Sequence, residues 1–87
     1  MTAKEIFPNL GEFQKYSDGM VADTSIEQLM PSIRSSIRDI NEYIPKDVFA
    51  AILAGDEDEP LELLKSAIAS GASYKYQIFA SAKKNGS

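Results

Sequence analysis

Cysteine, histidine and tryptophan are absent from the 87-residue chain. Without Cys or His there is no zinc finger, thiol redox centre, disulfide framework, Ser-His-Asp triad or Cys nucleophile, because each needs a ligand, base or thiol the chain does not carry. Most enzyme classes go with them. Long apolar runs are also missing, so no segment is fit to span a bilayer, and Met1-Thr2-Ala3-Lys4-Glu5 lacks the apolar core of a secretory signal. Both absences point to a cytoplasmic protein that does not engage a membrane. Positive charge is scarce: 9 basic against 13 acidic side chains leave a net charge of −4, which repels phosphate at long range and argues against direct nucleic-acid binding. A chain of this length forms one domain at most and buries roughly 60–65% of its unfolded surface, so its core is modest.

What is present reads as an all-α bundle of three main helices plus a short N-terminal helix. From 24 to 44 the apolar residues Ile26, Leu29, Met30, Ile33, Ile37, Ile40 and Ile44 recur at spacings of three and four, one stripe of a helix. Thr24 with Glu27 three residues on has the form of a capping box and places the start near Ser25. Pro31 interrupts the pattern and predicts a kink or restart, because it lacks an amide donor and crowds the carbonyl four residues back. Pro45 disfavours helical geometry at Ile44, Asp47 opens a second helix over 47–54, and Gly55 closes it. A third helix is predicted over 61–82, with Pro60 at its first position and Asp56-Glu57-Asp58-Glu59 as an acidic loop before it. Leu61, Leu64, Ile68, Gly71, Ala72 and Phe79 trace its inner stripe. Ala67, Ala69, Gly71 and Ala72 are small enough to admit another helix at mid-length, and Lys83 and Lys84 complement its negative end.

The segment 1–22 carries Ile6, Phe7, Leu10, Phe13, Tyr16 and Met20, too many large apolar groups for a disordered arm. Asn9 can cap a short helix from Leu10 to Ser17 that turns Leu10, Phe13 and Tyr16 inward. Asp18-Gly19 then turns the chain into a loop over 20–23, and 83–87 form a frayed tail. Ile33, Ile37, Ile40, Leu64 and Ile68 are assigned to the core.

Three groups of residues bear on function. The acids at 56–59 are a candidate cation site, but four consecutive carboxylates diverge and lack the alternating spacing, central Gly and terminal Glu of a calcium loop. They read instead as a solvated complement to the helix dipole, with no apolar surroundings to raise a pKa for acid-base work. Arg34 and Arg38 stand one turn apart on the polar side of the 24–44 helix, where Arg38 can meet Glu42. They form a solvent face or an oxyanion-binding pair. Tyr74, Tyr76 and Phe79 cover more than one face of the last helix. They are either packed under the N-terminal segment or offered as anchors to a partner, and at 100° per residue they cannot all point the same way, so at least one stays exposed.

The order of elements carries one resemblance. Leu-Gly-Glu-Phe-Gln-Lys-Tyr at 10–16, the run Ile-Glu-Gln-Leu-Met-Pro-Ser-Ile through Tyr-Ile at 26–44, Val-Phe with Ile-Leu at 48–53, and Leu-Leu with Ala-Ile-Ala at 63–69 together resemble the small helical head-tail connector, or head-completion, proteins of tailed phages and prophages. The resemblance is especially to a group found in phages of Bacteroidetes. The resemblance covers about residues 10 to 82 and rests on helix lengths and apolar positions. It implies a non-enzymatic structural protein without a cofactor, assembled as a ring between portal and tail and located in the virion. It assigns no individual contact residue. The residues alone support a second expectation, a small acidic adaptor that binds a host protein through the aromatic end of its last helix. Under either, the partners are proteins: portal or tail components, further copies of the chain, or a host protein.

Overall fold

The computed structural model describes residues 3–17, 24–55 and 57–85, with side chains described through residue 80. Five helices make up the fold, and no strand occurs among the described residues: α1 (Ala3–Ile6), α2 (Leu10–Ser17), α3 (Ile26–Asn41), α4 (Lys46–Ala54) and α5 (Asp58–Asn85). The all-α bundle expected from the periodicity is therefore present. Its N-terminal segment contributes two helices rather than one, because Ala3, Ile6 and Phe7 bury themselves and draw the chain before Pro8 into a further turn. The expected Asp18-Gly19 turn, the loop over 20–23 and residues 86–87 lie outside the described residues.

α3 and α5 form the principal pair, with α1 packed on α3 and with α2 and α4 packed on α5. Leu29 and Ile33 from α3 meet Leu64, Ile68, Ala69 and Ala72 from α5, and Phe49 and Leu53 of α4 extend the same core. Each of these Leu, Ile and Phe side chains contributes roughly 1.5–3 kcal/mol on burial. Phe7 and Phe13 are fully buried and meet edge to face, with centroids 5.2 Å apart, and Tyr16 completes the cluster 6.1 Å from Phe7. Ile37 and Ile40, assigned to the core from sequence, are half-buried at its margin.

Where α3 meets α5, the approach is close enough to exclude a methyl group. A Cβ at Gly71 would stand 2.6 Å from the Ser36 Oγ, and the Ser36 hydroxyl donates to the Ile68 carbonyl at 2.9 Å. The small residues at mid-length thus admit a second helix as the sequence predicts, through Gly71, Ala69 and Ala72; Ala67 faces solvent.

The ends of the helices correct several sequence boundaries. α3 is capped by Ser25 with Gln28, not by Thr24 with Glu27: the Gln28 amide donates to Ser25 Oγ at 3.3 Å and the Ser25 amide to Gln28 Oε1 at 3.1 Å. The register moves by one residue because Thr24 is engaged elsewhere. Its hydroxyl is hydrogen-bonded at 2.9 Å both to Gln28 Oε1 and to the Tyr76 hydroxyl of α5. An amide oxygen has no proton to give, so Thr24 donates to Gln28 and Tyr76 donates to Thr24. α3 runs unbroken through Pro31 and ends at Asn41, short of Ile44, where the amides of Glu42 and Tyr43 turn back to Asp39 and Ile40. α4 begins at Lys46 with Pro45 as its N-cap, one residue before the expected start, and Gly55 closes it as predicted.

α5 starts at Asp58, three residues early. Asp58 and Glu59 therefore occupy its first turn, where carboxylates complement the dipole. Pro60 falls third rather than first, which costs no hydrogen bond because first-turn amides have no intrahelical acceptor. The helix continues to Asn85 instead of fraying from residue 83. Its 28 residues span about 42 Å at 1.5 Å per residue, essentially the 44 Å long axis of the molecule. The radius of gyration of 13.1 Å accordingly exceeds the about 12 Å of a compact chain of this size.

Candidate protein-interaction surface

The candidate surface is the C-terminal half of α5. Ser73 is the last buried residue of that helix among those described; after it, Tyr74 is 64% exposed, Ile78 52% and Phe79 59%. Phe79 was placed on the inner stripe from sequence, and the structure turns it out. At residue 79 an inward angular position does not bring burial. Tyr76 is half-buried, packs against the core and is held by Thr24. Of the three aromatics, then, Tyr74 and Phe79 are exposed, whereas Tyr76 clasps α5 to the cap of α3.

Beside these residues lies an open groove of ≈ 680 Å³ bounded by Asp39 of α3 and by Gly71, Tyr74, Lys75, Ile78 and Phe79 of α5. Lys75 Nζ pairs with Asp39 Oδ2 at 2.7 Å, both groups part-exposed. The pair ties the two helices at the margin of the groove and adds little stability in water. Arg34 and Arg38 are exposed and border none of this groove; Arg34 lines a smaller recess of ≈ 270 Å³ with Lys4, Ile26 and Met30. Arg38 forms no ion pair with Glu42 among the described residues; Glu42 is the C-cap of α3, its amide turned back to Asp39. The sequence candidates thus separate into an aromatic group on α5 and an arginine pair on α3 that the fold does not bring together.

The acids before Pro60 do not converge. Glu57, Asp58 and Glu59 are all exposed, Asp56 lies outside the described residues, and no group of three possible metal-ligating side chains occurs among the described residues. A second groove, also ≈ 680 Å³, runs between α4 and the start of α5 over Val48, Ala51, Ile52 and Pro60, with Asp47 and Glu57 at its edges. The clear titration shifts belong to an exposed pair remote in sequence from both grooves. The hydrogen bond from Lys15 at 2.8 Å, and then its charge, hold the Glu12 carboxyl below the usual range and raise the Lys15 ammonium in turn.

Sequence reasoning missed Ile78 and Leu63, the latter 66% exposed. Their signal was the spacing of uncharged residues along the outer arc of α5 rather than any motif. Among the described residues no helix is long and apolar enough to cross a membrane. Compared with known proteins, the chain matches no family model, no curated protein and no solved structure.

Proposed function

We propose that the chain is a non-enzymatic interaction protein that docks another protein through the C-terminal half of α5, acting as a connector-like component of a phage or prophage assembly. The observation that carries the docking surface is the exposure of Tyr74, Ile78 and Phe79 on one stretch of helix beside an open groove. Large apolar groups left in water at adjoining turns mark a contact site, and aromatic anchors dominate binding energy. The assembly class is supported by the order and length of the helices between residues 10 and 82. The non-enzymatic reading is supported by the missing Cys and His.

Capture from source cells before and after prophage induction tests both parts, using wild-type chain and a Tyr74→Ala, Phe79→Ala variant of unchanged helical circular dichroism. Portal or tail components bound by wild type only after induction, and lost with the variant, are the expected result. A single host protein captured in both samples moves the function to a regulatory adaptor. Undiminished capture by the variant overturns the surface.

A further inference from the structure

We propose that α5 pairs, antiparallel and about a two-fold axis near Ser70 and Gly71, with α5 of a second copy of this chain. The inference rests on reading α5 as a docking surface and names its first occupant.

Opposite the core, α5 presents Leu63, Ala67, Ser70, Tyr74 and Ile78, all exposed and three or four residues apart, a second continuous stripe on a helix whose first stripe is buried. No charge interrupts it. The two charged residues between Leu63 and Ile78 are drawn to other sides: Lys65 lies over the Tyr16 ring at 5.8 Å, and Lys75 reaches Asp39. An exposed helix face in a chain that is 25% charged would ordinarily carry several charges; here it carries none for four turns.

The stripe is complementary to itself in one orientation. In an antiparallel pair centred between Ser70 and Gly71, Leu63 meets the partner's Ile78, Ala67 receives the partner's Tyr74, and the smallest residues meet at the axis, where two helices approach most closely. A parallel pair would set Tyr74 against the partner's Tyr74 and lose that fit. Antiparallel pairing also opposes the two helix dipoles. A stable pair needs about 600 Å² from each copy, roughly a tenth of the 5767 Å² surface of the chain. The outer face of a helix about 42 Å long supplies this.

The test uses the intact chain. Light scattering and sedimentation across the micromolar range are expected to show a concentration-dependent dimer. Tyr74→Glu, and separately Ile78→Glu, should weaken it by about 30-fold or more without loss of helical signal, as removing a central anchor does. Because the chain has no native thiol, Ser70→Cys should give a disulfide-linked dimer on mild oxidation, whereas Ala54→Cys on α4 should not. A wild-type chain that stays monomeric overturns the pairing, and so does a dimer insensitive to Tyr74→Glu or linked through Ala54→Cys instead. A monomer that still captures a partner through Tyr74 leaves the proposed function standing, whereas a Tyr74→Glu variant that loses neither dimer nor capture removes both.

Discussion

The two halves of α5 have similar appetites for burial and different fates. Up to Ser73 nearly every turn returns a buried residue, from Leu64 through Ile68, Ala69 and Ala72; from Tyr74 to Phe79 none is buried, although Tyr74, Tyr76 and Phe79 are the larger groups. The second half still meets its neighbours, Lys75 at Asp39 of α3 and Tyr76 at Thr24, yet leaves Tyr74 and Phe79 exposed. Burial is thus decided by position in the packing, not by a side chain's own hydrophobicity.

The largest effect should come from setting core against ridge. Ile68→Ala or Ile33→Ala is expected to cost about 2–5 kcal/mol in urea unfolding, a large share of the net stability of a small domain. Ile78→Ala in dilute solution should stay within about 0.5 kcal/mol. Equal losses at Ile68 and Ile78 would erase the contrast between the halves.

A smaller effect lies at the boundary between them. Gly71→Ala pushes a methyl into the Ser36 hydroxyl and should cost about 1–3 kcal/mol. Adding Ser36→Ala removes the clashing oxygen and should recover most of that loss, because the Ser36 Cβ would lie at an ordinary 3.5 Å. Additive losses in the double variant would mean that the helices do not meet there. Smaller again, Ser25→Ala should cost about 1 kcal/mol through the lost cap, and Glu27→Ala much less; the reverse order would restore the Thr24–Glu27 box read from the sequence.

Local chemistry was legible. The stripe of α3, the cap of α2 by Asn9, whose Oδ1 takes the Glu12 amide at 2.9 Å, the stop at Gly55 and the small residues at mid-α5 all follow from spacing and residue type. Choices between near-equal local options were not. Thr24 and Ser25 both suit a cap, and only the arrival of Tyr76 from 52 residues away decides that Thr24 serves α5 and Ser25 serves α3. α1 was hidden because one turn of helix has no period to detect; its sole sign in the sequence was the presence of Ile6 and Phe7. Of the candidate surface, the exposure of some aromatics was legible from angular spacing. Which ones was not: Phe79 shares the angular sector of Leu64 and Ile68, yet it is 59% exposed where they are buried.

The ties along α5 have a mechanical consequence. α5 is one rod, closely approached by Ser36 at Gly71 and tied again at Lys75 to Asp39 and at Tyr76 to Thr24, with about 14 Å of helix beyond Tyr76 to Asn85 at 1.5 Å per residue. The last of these ties acts as a fulcrum: a tilt of about 4° there moves the far end by about 1 Å over that arm. The aim of Ile78 and Phe79 is thus set by contacts that neither side chain makes.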